Sequence, residues 1–147
     1  MTVLRFTVKG DPKPKGRPRA GNGFIYTPPE TRRAENTVKL AAKLAKARPL
    51  HGPLSVELRF FRATKRRCDL DNLSKLCLDA LNGIAYRDDD QIVSLAASKS
   101  HDPTNPRTEV TVQPHPPPEA QDWTEADELA EAAHLEWLRR TKGEEPA

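Results

Sequence analysis

The chain is short of cysteine, aromatic residues and long apolar runs, and each shortage closes off a class of function. Two cysteines in 147 residues, Cys68 and Cys77, cannot build a disulfide framework, and their spacing is not that of a zinc knuckle. The expected setting is a reducing cytoplasm. No stretch approaches the ~20 apolar residues that cross a bilayer, and residues 1–10 lack the basic and apolar regions of a secretory signal. No membrane partner is expected. Phe 4, Tyr 2 and Trp 2 are too few to support recognition by base stacking. His51, His101, His115 and His134 have no ligand spacing. Nor is there a Ser/His/Asp order, a glycine-rich phosphate loop or a zinc signature, so no nucleotide cofactor is expected.

What the chain does have is proline, 14 residues of it, and charge that is unevenly spread. The formal net charge is only +3, yet residues 1–67 carry 17 basic and 4 acidic side chains. Residues 68–112 carry 4 and 8, and residues 113–147 carry 3 and 9. A basic half followed by an acidic half points to a polyanionic partner.

Alternation in period two predicts a strand over residues 3–9. Residues 10–23 read as an extended basic loop, because repeated X-Pro units disfavour helix, and residues 24–26 as a short returning strand. Thr27 as N-cap, Pro28 at the first helical position and Glu30 at the third predict a helix to about Arg48. Its inner face would carry Val38, Ala41, Ala42 and Ala45. A strand over 54–61 and a basic loop over 62–67 follow. Leu73, Leu76, Cys77, Ala80, Leu81 and Ile84 give the strongest helical pattern, closing near Gly83. Strands are expected over 91–99 and 108–113. The order predicts an α+β domain, a mixed sheet packed by two main helices, over residues 1–113. Residues 114–147 read as a proline-rich linker from Pro114 and an acidic amphipathic helix over 123–140, using Leu129, Ala133, Trp137 and Leu138.

The chemistry-bearing segment is Asp69-Leu70-Asp71-Asn72-Leu73-Ser74-Lys75, followed by Asp79 and by Asp88-Asp89-Asp90. One reading makes Asp71 or Asn72 a helix cap, Lys75 the i,i+4 salt-bridge partner of Asp71, and the triplet a solvated turn. The other starts from the repulsion among so many carboxylates, which a cation relieves. Oxygen donors suit Mg²⁺, with Mn²⁺ as a substitute. Metal-bound carboxylates with one lysine suffice for phosphodiester hydrolysis: the ion activates water, and the lysine meets charge developing on the phosphate.

Asp69-Leu70-Asp71-Asn72-Leu73-x-Lys75, Leu78-Asp79-Ala80-Leu81-Asn82-Gly83 and Asp88-Asp89-x-Gln91-Ile92 together resemble the RusA family of Holliday junction resolvases. Gly10-x-Pro12-x-x-Lys15-x-Arg17-Pro18-Arg19, Tyr26-Thr27-Pro28 and Pro106-Arg107-x-Glu109-Val110 also match that pattern, which spans about residues 3–112. The resemblance implies a dimeric, Mg²⁺-dependent endodeoxyribonuclease, phage- or prophage-associated, that cuts symmetrically opposed strands of four-way DNA junctions. Its products would be ligatable nicks. It also implies that Asp69, Asp71 and Asp89 are catalytic metal ligands and that Lys75 is the essential lysine. The chain departs from the family at Cys68, where a basic residue is expected, with Arg66 and Arg67 just upstream.

Lys13, Lys15, Arg17 and Arg19 on the proline-stiffened loop, with Arg66 and Arg67, are the expected contacts to DNA phosphates. The functional expectation is junction resolution in recombination and repair. The alternatives are a non-catalytic branched-DNA-binding phage accessory protein and a nuclease of broader flap or branched-DNA specificity.

Overall fold

The computed structural model describes residues 3–116 and 125–143, the side chain of Asp127 excepted. Strands arise where apolar residues alternate. Leu4, Phe6 and Val8 of β1 (Leu4–Lys9) point inward, as do Leu54, Val56, Leu58 and Phe60 of a later nine-residue strand, Leu54–Arg62. Arg19–Gly21 (β2) and Phe24–Tyr26 (β3) form a separate hairpin, so the predicted loop over 10–23 ends at Pro18. The cause is Asn22-Gly23, which takes positive φ at both positions (25° and 84°), the geometry a tight hairpin turn demands.

Helix α1 (Pro29–Leu44) starts one residue later than the Thr27 reading requires. Pro28 holds the N-cap position in extended backbone (φ −53°, ψ 142°) with no side-chain cap bond. A residue before proline is pushed out of the helical region, and Pro29 does this to Pro28. The helix also ends before Arg48. Lys46 turns left-handed (φ 60°), and the N–H groups of Lys46 and Ala47 donate back to Lys43 and Ala42, closing a Schellman motif. Val38 and Ala42 are buried and Ala41 half-buried as expected, whereas Ala45 is exposed.

The strand Leu54–Arg62, β4, leads to α2 (Leu70–Ala80), a short 3-10 turn at Asp89–Gln91, β5 (Ile92–His101) and β6 (Arg107–Pro114). The mixed four-stranded sheet runs β1-β6-β4-β5, with β4 and β5 parallel and the other pairs antiparallel. Parallel neighbours need a crossover, and α2 supplies it. Helices α1 and α2 pack on each other, α1 on β1 and α2 on β5. The core between helices and sheet includes Leu54, Leu58, Leu73, Leu81 and Val112, all fully buried. Burial of each such side chain is worth about 1.5–3 kcal/mol. The fold is α+β.

Pro114 belongs to β6 rather than to a linker: it lies opposite Leu54, and His115 N–H donates to the Pro53 carbonyl at 2.9 Å. The chain divides into compact units at residues 1–115 and 116–147. In the second unit α3 (Glu125–Thr141) is a helix whose Leu129 and Trp137 are 66% and 58% exposed. The linker prolines 117 and 118 and the expected helix start at Trp123 lie outside the described residues. Among the described residues no helix is long and apolar enough to cross a membrane.

Candidate active site

Helix α2 forms over residues whose apolar positions repeat every three or four, with Leu73, Leu76, Cys77 and Ala80 buried. This leaves Asp71, Lys75 and Asp79 towards its outer side. Asp69 occupies the N-cap position in extended backbone and makes no side-chain cap bond; it is exposed. Asp71 and Asn72 therefore lie inside the first turn and do not cap the helix. Among the described residues the Asp71 carboxylate accepts only the adjacent Asn72 N–H, at 2.9 Å. Lys75 is exposed and makes no ion pair with Asp71. Neither simple structural role is realised, and both side chains are left for other work.

The acidic triplet is resolved by the 3-10 turn. Asp88 is its cap: its carboxylate accepts the Asp90 N–H at 3.4 Å, while the Gln91 side-chain oxygen accepts the Arg87 and Asp88 N–H groups at 2.8 and 3.2 Å. The Gln91 amide then donates to the carbonyls of Leu50 and Gly52, tying the turn to the start of β4. Asp89 follows the cap, its N–H held by Asn82 Oδ1 at 2.9 Å, and it is the residue of the triplet that lines the pocket beside α2.

That pocket, about 520 Å³, is lined by Leu70, Asp71, Ser74, Lys75, Leu78, Asp79, Asp89, Leu95 and Ala97. It brings together Asp71, Lys75 and Asp89 and adds Asp79. Asp69 is not in its lining. Hydrogen bonding with Asp88, burial, and the charges of Asp88 and Asp79 hold the Asp89 carboxyl above its ordinary value. Tyr86, buried and donating to the Leu78 carbonyl at 2.5 Å, is pushed up by burial and then by the charge of Asp89. Among the described residues no three His, Cys, Asp or Glu side chains converge as a ready ion cage. The donor chemistry nonetheless fits a hard divalent cation: Asp71 and Asp89 offer carboxylate oxygen to one pocket, and Asp89 carries the repulsion that a cation relieves.

A single chain match decides the class. A family model described as Endodeoxyribonuclease RusA matches residues 9–113. The chain belongs to the RusA family. It is also 30% identical over 141 residues to Uncharacterized protein YqaN of Bacillus subtilis (strain 168), covering 77% of this chain and 97% of that protein. As a RusA-family member the chain is an endodeoxyribonuclease.

The basic residues expected to hold DNA divide into two groups. Lys13, Arg17, Arg66 and Arg67 are exposed; Lys13 lies 3.6 Å from Asp11, and the other three make no ion pair among the described residues. Arg19, on β2, pairs with Glu30 at 2.5 Å. The Lys15 side chain is about three-quarters buried and its ammonium is engaged by Asp79 and Glu35. Arg62, predicted at the head of the basic loop, is instead the buried last residue of β4, its Nε and Nη1 without hydrogen-bond partners among the described residues and Asp11 at 3.6 Å. Asp11 also accepts the Ala63 N–H, and Lys99 donates to the Cys68 carbonyl at 2.6 Å, so the loop into Asp69 is pinned at both ends. Sequence reasoning assigned no role to Asn82, Gln91, Asp11 or Lys99. Asn82 and Gln91 stand inside motifs that signal them; nothing local marks Asp11 or Lys99. The late motif at Arg107 is an internal brace: Arg107 pairs with Asp102 and Glu109 and stacks 3.8 Å above the Phe61 ring.

Proposed function

We propose that the chain resolves four-way DNA junctions by Mg²⁺-dependent phosphodiester hydrolysis, in recombination and repair. The observation that carries this reading is the meeting of Asp71, Lys75 and Asp89 at one pocket, with Arg66 and Arg67 exposed on the loop that enters α2. Asp71 and Asp89 would hold the metal, with Asp69 at the helix entrance as the third carboxylate that the family pattern assigns. A divalent ion there supplies a Lewis acid for the phosphoryl oxygen and an acidified water. Lys75, which makes no ion pair among the described residues, would present its ammonium where charge grows on the scissile phosphate. Lys13, Arg17, Arg66 and Arg67 hold the backbone without reading bases. A two-fold dimer would set two such pockets against opposed strands, matching the symmetry of the junction.

The test incubates purified protein with synthetic four-way junctions, flaps and linear duplex, with and without Mg²⁺. Paired, religatable nicks confined to junctions and dependent on Mg²⁺ are expected. Binding without cleavage, unchanged in an Asp71→Asn variant, would sink the proposal. Equal cutting of flaps would replace it with a broader branched-DNA nuclease.

A further inference from the structure

Lys15 behaves unlike its basic neighbours on the proline loop. Lys13 and Arg17, two residues to either side, are exposed. Lys15 is turned inward and held at both backbone and side chain. Its N–H donates to the Asn72 carbonyl in the first turn of α2 at 3.1 Å. The next residue is fixed too, Gly16 N–H donating to Thr31 Oγ1 of α1 at 3.1 Å. The Lys15 ammonium bonds Asp79 and lies 3.6 Å from Glu35, and all three side chains are about three-quarters buried or more. That hydrogen bond to Asp79 is the main cause of a Lys15 pKa raised above its ordinary value.

Asp79 lines the same pocket as Asp71 and Asp89, and its charge acts on Asp89. Stripped of its partner, it would add an uncompensated carboxylate to a site already under repulsion. A phosphate competing for Lys15 would have to strip the ammonium from two carboxylates already in place. We propose that Lys15 is a positioning residue of the cutting pocket rather than a DNA contact. It fastens the DNA-gripping loop to α2 and keeps Asp79 neutralised at the pocket wall. The claim rests on the nuclease reading for its effect on cleavage, but not for the tie itself.

Two measurements decide it. In junction binding, Lys13→Gln and Arg17→Gln should each lower the slope of log affinity against log salt by about 0.9, the signature of one lost phosphate contact. Lys15→Met should leave that slope unchanged while cutting at saturating junction falls on the order of 10- to 100-fold, as misplacement of a site does. Adding Asp79→Asn to Lys15→Met should recover part of that loss by removing the stranded charge. A slope lowered as in Lys13→Gln, or full cutting by Lys15→Met, overturns the proposal. The second measurement needs no variant that might misfold: ¹⁵N NMR of the lysine ammonium groups in the unaltered chain. Lys15 should give a slowly exchanging signal that stays put when junction DNA is added, while Lys13 shifts. Movement of Lys15 together with Lys13 overturns it. If the unaltered chain cuts nothing, the nuclease reading fails. The tie to Asp79 is then still judged by whether the Lys15 signal collapses in Asp79→Asn.

Discussion

At the scale of single residues, three adjacent aspartates carry unequal work. Asp88 caps a turn and Asp89 faces the pocket. Asp89→Asn should therefore lower junction cutting at least about 100-fold with little effect on thermal stability, since one proposed metal-binding charge is lost. Asp88→Ala should do the reverse, costing about 1 kcal/mol of stability as lost caps do, with a smaller loss of cutting. Paired melting curves and nicking assays separate the two. The Cys77 thiol is buried, and burial pushes its pKa up to about 12. It should resist disulfide reagents in the folded protein at pH 8 and react at once in denaturant. The Lys15–Asp79 pair gives a third expectation. A lysine whose folded pKa is raised stabilises fully below its unfolded value and loses that contribution as pH climbs through the folded one. The urea midpoint of the unaltered chain should thus fall towards that of Asp79→Asn as pH rises beyond about 10. That Asp71, Lys75 and Asp89 belong together was legible in the sequence through the family pattern, and all three line one pocket, whereas Asp69 does not. The inward turn of Lys15 was not legible: a cation on an extended loop reads the same whether its partner is a phosphate or an aspartate 64 residues away.

At the scale of elements, α2 was plain from its apolar period, which local side-chain spacing alone determines. Its first residue was not, because Asp69, Asp71 and Asn72 are all acceptable caps and tertiary contacts choose among them. Leu73→Ala, in a fully buried position on α2, should cost about 2–5 kcal/mol by chemical denaturation. The 3-10 turn went unseen as an element, since a three-residue turn has no period to detect. Gln91 is the side chain that makes it, bonding to both its backbone and the carbonyls before β4. Gln91→Leu keeps the volume but removes those bonds. It should free the turn, lower cutting by loosening Asp89, and raise amide exchange at Arg87 and Asp88. Retained exchange protection at those two amides would count against that assignment. Of the β2–β3 hairpin only β3 was expected, as the returning strand over residues 24–26; β2 is three residues long, too short for alternation to register.

For the whole molecule, the charge split in the sequence maps onto separate pieces. The basic half includes β1, the proline loop and β4; the first acidic stretch runs from the α2 crossover through β5 into β6, with six of its eight acids before β5; the second lies in the unit beginning at residue 116. A chain ending at His115 retains every side chain of the pocket. Such a chain should unfold in one cooperative transition and keep its junction cutting. With nine acids removed from the tail, its affinity for plain duplex should rise, which fluorescence anisotropy at two salt concentrations would measure. Unchanged duplex affinity would show that the tail does not screen the basic surface.

The order of the sheet has a consequence for synthesis. Its last strand in sequence, β6, lies between β1 and β4, so the first strand made waits for the last one before it has a neighbour. Until residues 107–114 leave the ribosome, the acids of the crossover ride on a sheet with its middle missing. A chain cut short by interrupted translation should then be protease-sensitive and unable to nick DNA. Such fragments would already carry Asp69, Asp71, Lys75 and Asp89, yet lack the strand that joins the two halves of the sheet.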